Sequence, residues 1–173
     1  LSVPRTFSTQ KSTDGMFEVA IPGTLFEFPE AYFIKEYFYP DLANGAFYSV
    51  RRIRTYGPLI HYTADMMQSK TDSLLFENIP GKMITKKAIK INGYNAIEIL
   101  SKLKKGDYQR YVLVFTPMEI IIFRAGGRKD YVKKGEATKF FKSIKINTPS
   151  NDWKEFSTYN QDISVKLPAG SIS

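Results

Sequence analysis

The chain has no cysteine and one histidine, His61, in 173 residues. Without cysteine there can be no disulfide, thiolate nucleophile, iron–sulfur cluster or cysteine zinc site. A lone histidine cannot form a two-histidine metal face, and no His-Glu-x-x-His spacing occurs, so no metal or other cofactor is expected. No apolar run reaches 18 residues, which excludes a membrane-spanning helix at the level of sequence. The opening Leu1-Ser2-Val3-Pro4-Arg5 has neither the charged nor the apolar region of a signal peptide, so an export signal would lie outside this chain. A Gly-x-Ser-x-Gly elbow and P-loop spacing are also missing, which removes the usual marks of serine hydrolysis and nucleotide binding.

With 43% hydrophobic residues the chain can bury a core without covalent staples. Its net charge of +8 raises the prospect of an anionic partner. The lysines are scattered, however, as at Lys82, Lys86, Lys87, Lys90, Lys102, Lys104 and Lys105, and read first as solvated faces and turns. Nucleic acid is not the expected partner.

Local patterns predict mostly strands. A first strand over 16–21 ends at Pro22-Gly23, a short one is expected near 31–39, and another covers 46–55. Helical spacing of Ala64, Met67, Thr71, Leu74 and Leu75, with Thr63 as N-cap and Pro80-Gly81 as a stop, predicts a helix over 64–78. Four strands then follow over 82–91, 94–103, 107–115 and 118–124. They are linked by Asn92-Gly93, Lys104-Lys105-Gly106 and Thr116-Pro117, and links this short require adjacent antiparallel strands. Tyr111-Val112-Leu113-Val114-Phe115 and Ile120-Ile121-Ile122-Phe123 are apolar at every position, so both faces of the central sheet must be covered. A helix over 134–143 supplies one cover through Ala137, Phe140, Phe141 and Ile144. A closing strand is expected within 143–146.

Two segments recur. Phe7-Ser8-Thr9 returns as Phe156-Ser157-Thr158, an offset of 149, and Phe17–Pro22 returns as Ile163–Pro168, an offset of 146. This predicts a complete module over 1–146, a linker over 147–152, and the start of a second, truncated copy over 153–173. The second copy is expected to dock on the module or pair with a neighbouring chain.

Asp14-Gly15-Met16-Phe17-x-Val19-x-Ile21-Pro22 and Phe140-Phe141-Lys142-Ser143-Ile144, with the element order between them, resemble the PsbP-like family over residues 7–146. The resemblance implies an α+β fold, a three-layer α-β-α sandwich with a central antiparallel sheet. Members include an extrinsic photosystem II subunit, Ran-binding release factors and bacterial envelope lipoproteins. They share no chemistry, so the fold does not transfer one.

The candidate sites are few. Arg51, Arg52 and Arg54 interleave with Tyr48 and Tyr56, and Gly126-Gly127-Arg128-Lys129 offers amides with two cations; both are candidate ligand-binding positions for an anion. Glu98, between Ile97 and Ile99, is expected to pair with an arginine or lysine. The aromatic stretch over 24–45 is expected to fold down as a cover layer, with carbohydrate or protein-partner contact as the alternative. The leading expectation is a non-catalytic interaction or structural module of a bacterial cell-envelope protein, periplasmic or at the cell surface, built as tandem copies. Its partners would be another protein or neighbouring copies of the same module. The alternatives are an anion- or small-ligand-binding domain with a basic surface, and a small hydrolase whose acids meet only in the fold.

Overall fold

A computed structural model describes residues 5–54, 66, 69 and 79–147 and the strands at 153–157 and 164–168. The strands are β1 (Ser8–Lys11), β2 (Phe17–Ile21), β3 (Phe26–Glu27), β4 (Ile34–Asp41), β5 (Ala46–Arg54), β6 (Lys82–Ile91), β7 (Tyr94–Lys102), β8 (Tyr108–Phe115), β9 (Glu119–Gly127), β10 (Lys145–Ile146), β11 (Trp153–Ser157) and β12 (Ser164–Pro168). Two short helices, α1 (Lys129–Lys133) and α2 (Ala137–Lys142), lie between β9 and β10.

The central sheet is antiparallel throughout, in the order β3-β4-β5-β9-β8-β7-β6. Its meander from β6 to β9 follows the turn chemistry. Asn92 and Gly93 take φ of 48° and 83°, as a two-residue hairpin demands. β6 forms one edge and carries Lys82, Lys86, Lys87 and Lys90. At the other side β3 pairs only with Tyr37 and Phe38, so the end of β4 remains an edge where Pro40 needs no donor.

Alternation along the central strands divides the core into two clusters. Val112, Val114, Ile121 and Phe123 face one way; Tyr111, Leu113, Phe115 and Ile120 face the other, and all eight are buried. The expected dryness on both faces of 111–123 is therefore present. A second sheet, β1-β2-β10, covers the first face through Phe17, Val19 and Ile21. Phe17 meets the rings of Tyr37 and Phe123 edge-on at 5.1 and 5.8 Å. Tyr131 and Val132 of α1, with Phe140 and Phe141 of α2, complete that cover. On the second face Ile79 and Met83 pack at the rim. The expected helix over 64–78 lies outside the described residues, apart from Met66 and Ser69, both helical. The architecture is the expected α+β sandwich around an antiparallel sheet.

Two elements differ from expectation. The helix expected over 134–143 is present but shorter, as α2 (Ala137–Lys142), and a separate short helix, α1, precedes it; Gly135 lies in the break between them, its N–H turning back to the Asp130 carbonyl at 2.9 Å. A Cβ at Gly135 would meet Tyr131 Cα at 2.9 Å, so the break is tight against the first helix. The aromatic stretch over 24–45 does not fold down as a cover layer; it supplies β3 and β4 and widens the central sheet.

The repeated segments both form hairpins. Ser8 faces Ile21 and Lys11 faces Glu18 in the first; Lys154 faces Leu167 and Ser157 faces Ser164 in the second. One shift of 146 residues maps each pair onto the other, and it places Trp153 where Phe7 stands. The Phe-Ser-Thr match at 149 is thus three residues out of step. How 153–173 docks lies outside the described residues.

Candidate functional site

Alternation along β5 sends Arg52 and Arg54 to the face bearing β2, and Arg51 to the opposite one. Arg52 is the hub. It lies diagonal to Glu119 at the start of β9, which stands opposite Arg54, and donates Nε at 3.1 and 3.2 Å and Nη2 at 2.9 Å to that carboxylate. Its Nη2 also meets Asp14 Oδ2 at 2.8 Å. Asp14 is held by the β1–β2 connection: Ser12 Oγ donates at 2.8 Å and the Met16 N–H at 3.1 Å to its Oδ1, and Gly15 takes the left-handed φ of 71° that closes this turn.

The two carboxylates titrate in opposite directions. Burial pushes Asp14 up, but bonds from Arg52, Ser12 and the Met16 N–H outweigh it and bring the group to about 2. Glu119, with its side chain 7% exposed, is pushed up by burial more than Arg52 pulls it down.

Around this hub lies a cavity of about 180 Å³ lined by Asp14, Glu30, Lys35, Tyr37, Arg52, Arg54 and Glu119, with Thr13 and Phe33. Lys35 pairs with Glu27, and Arg54 with Glu30 at 3.4 Å. Tyr37 lines the cavity and is 4% exposed; its hydroxyl is buried beside Arg52 and makes no hydrogen bond of normal geometry among the described residues.

The cavity rim is a strained turn. Ala31 and Ile34 exchange backbone hydrogen bonds at 3.0 and 2.9 Å, and the two residues between them, Tyr32 and Phe33, take φ of 51° and 65°. Positive φ at both central positions is the geometry that Asn-Gly normally supplies, and it is unfavourable for bulky residues. Tyr32 is 95% exposed and Phe33 52%. Phe26 and Phe28 are exposed too, with rings 4.9 Å apart, and lie one residue to either side of Glu27, hence on the sheet face away from Tyr37.

The other sequence candidates are dispersed. Arg51 donates to both Glu36 oxygens at 3.3 Å on the far face. Gly126 and Gly127 end β9, Arg128 precedes α1, and Lys129 opens it, 5.9 Å from the Tyr108 ring. Seven residues of strand, roughly 24 Å at 3.4 Å each, separate this end of β9 from Glu119. The structure brings Arg52 and Arg54 together and leaves Arg51, Arg128 and Lys129 apart from them. Glu98 pairs with Arg110 at 2.7 Å and Lys87 at 3.1 Å, as expected. His61 lies outside the described residues.

A second polar cluster went unnoticed in sequence. Asp41, fully buried, accepts from Arg5, from Tyr131 Oη at 2.7 Å and from Asn44 at 3.1 Å. Arg5 also reaches Glu136 at 3.3 Å, and Tyr48 Oη meets Tyr131 Oη at 2.5 Å. Burial pushes both phenols well above their ordinary range. This network clamps the N-terminal segment, β4 and α1 together, although Arg5 Nε and Asp41 Oδ1 make no hydrogen bond among the described residues.

No protein-family model and no curated protein matches the sequence. Among solved structures, the chain is similar to cyanobacterial PsbP (CyanoP) from Synechocystis sp. PCC 6803, with a TM-score of 0.59 and 9% identity over 84% of this chain and 95% of that one. It is also similar to LpqN, involved in cell envelope biogenesis of Mycobacterium tuberculosis, with a TM-score of 0.48 and 13% identity over 83% and 91%. The chain has a PsbP-like fold.

Proposed function

We propose that this chain is a non-catalytic interaction module of a bacterial cell-envelope protein, present as tandem copies. The reading rests chiefly on four aromatic side chains, Phe26, Phe28, Tyr32 and Phe33, which stand in solvent along one edge of the sheet. Exposed aromatic clusters of this kind mark contact surfaces, since burying them elsewhere was open to the chain. Among the described residues every carboxylate is either ion-paired or solvent-exposed, which favours binding over acid–base chemistry. The two hairpins of identical register support the tandem arrangement. No helix among the described residues is long and apolar enough to cross a membrane. An anion surface at Arg51, Arg52 and Arg54 draws little support, because a carboxylate already opposes each of them.

A photo-crosslinking amino acid placed at Tyr32 or Phe26 in the native cells tests the reading. Crosslinked adducts in the envelope fraction are expected from both positions and not from the lysine edge at Lys86. A protein confined to the cytosol, or one giving equal adducts from all three positions, refutes it.

A further inference from the structure

We propose that the cavity beside Arg52 binds one uncharged pyranose ring, the end unit of a neutral glycan, stacked on Phe33. This deepens the interaction-module reading by naming the ligand class of the same sheet edge.

Charge decides the class. The lining holds three cations, Lys35, Arg52 and Arg54, and three carboxylates, Asp14, Glu30 and Glu119. Each cation is already opposed: Arg52 by Glu119 and Asp14, Arg54 by Glu30, Lys35 by Glu27. An anion such as phosphate would have to split these pairs, and so would an amino acid zwitterion. A metal ion would have to take carboxylates away from arginine. Ion-paired groups nevertheless keep hydrogen-bonding valences to spare. A carboxylate oxygen accepts more than one bond, and a guanidinium donates five. Hydroxyl groups, which donate and accept together, use both kinds without disturbing the pairs.

Two further features fit a sugar. The Tyr37 hydroxyl is buried beside Arg52 and makes no hydrogen bond of normal geometry, an arrangement that native structures keep rare. A ligand hydroxyl satisfies it. Phe33, 52% exposed as a residue, stands at the rim as an aromatic side chain of the kind that packs against the C–H side of a pyranose. The strained φ of 65° at Phe33 holds the ring there through the Ala31–Ile34 turn. The volume of about 180 Å³ is below the roughly 300–1,000 Å³ of pockets that enclose drug-sized ligands. It suits one ring whose glycosidic neighbour lies outside.

The test is NMR titration of the 173-residue chain with glucose, galactose, N-acetylglucosamine and their β-1,4-linked dimers, with inorganic phosphate and glycine in parallel. At least one neutral sugar is expected to shift the amides of Tyr37, Arg52 and Phe33, with an affinity of about millimolar. Saturation transfer should be strongest to protons on one sugar face. Phe33→Ala should abolish the response. Tyr37→Phe, which keeps the packed ring, should weaken it about threefold to tenfold, with an otherwise unchanged spectrum confirming that the variant is folded. No response to any sugar overturns the proposal, as does a phosphate response at Arg52 and Arg54 without a sugar one. Unaltered sugar affinity in Tyr37→Phe also overturns it. If sugars fail while Tyr32 still crosslinks in the envelope, only this inference falls and the module reading stands.

Discussion

Replacing Arg52 with methionine isolates the ion-paired hub. The change keeps most of the side chain's volume and removes its charge. Asp14 is half exposed and can rehydrate, so the cost falls on Glu119, which is almost sealed and loses every donor that Arg52 supplied. Leaving one member of such a pair behind destabilises a fold by about 3–5 kcal/mol. Urea unfolding of Arg52→Met at about pH 7 should show a loss of that size. The sign of its pH dependence is fixed. Glu119 is already raised by burial, and without Arg52 it rises further, so between the unfolded and folded values the native state holds more protons. Stability of the variant must therefore increase on acidification from about pH 7 to about pH 5. Adding Glu119→Met removes the stranded charge and should recover most of the loss. A single-variant cost below about 1 kcal/mol, a double variant no better than the single, or a variant weakened by acid over that window would refute the assignment of Arg52 as the compensator of a buried charge.

Three other outcomes are expected. Tyr32→Asn combined with Phe33→Gly should raise stability by about 1–2 kcal/mol, because the new residues accept positive φ, and a thermal melt with no gain would show that the turn is unstrained. Phe140→Ala should cost about 3–5 kcal/mol in denaturant, since its ring is fully buried against those of Tyr48, Phe123 and Phe141. Asp14, Asp41 and Glu98 are pushed up by burial, yet their bonds to Arg52, Arg5 and Arg110 leave each below the ordinary carboxylate range. Their stabilisation is complete above about pH 5 and should fade as pH falls through the folded values, so an acid titration followed by circular dichroism that stays flat between about pH 5 and about pH 2 would contradict them.

Much of the fold was legible because local chemistry and tertiary structure agree. Asn92-Gly93, Lys104-Lys105-Gly106 and Thr116-Pro117 mark the meander's turns, and unbroken apolar runs at 111–115 and 120–123 mark strands sealed on both faces. Gly135 weakens the first turn of the helix expected over 134–143, and the helix in fact starts only at Ala137, with Gly135 in the break after α1. The short strand expected near 31–39 is largely matched by β4, but aromatic content alone suggests burial of the stretch as a cover, which it does not provide. Its strand pairing depends on a turn, Tyr32-Phe33, that carries no glycine or asparagine to announce it. The site was half visible. Period-two alternation puts Arg52 and Arg54 on one face and Arg51 on the other, but their carboxylate partners are set by tertiary pairing. Glu119 reaches Arg52 across 67 positions, and nothing local signals that register. The recurrence of the hairpin was visible, and only backbone pairing could choose 146 over 149 as its step.

The two margins of the central sheet are guarded in different ways. Along β6, four lysines line the outermost strand, so a like strand approaching it would bring its own positive charges into register and be driven off. The opposite margin has a two-residue strand and a proline instead of a row of charge. Lateral association of such molecules is therefore polarised: whatever joins this sheet side by side is steered toward the aromatic flank, and chain-like stacking of sheets edge to edge is blocked at its other end.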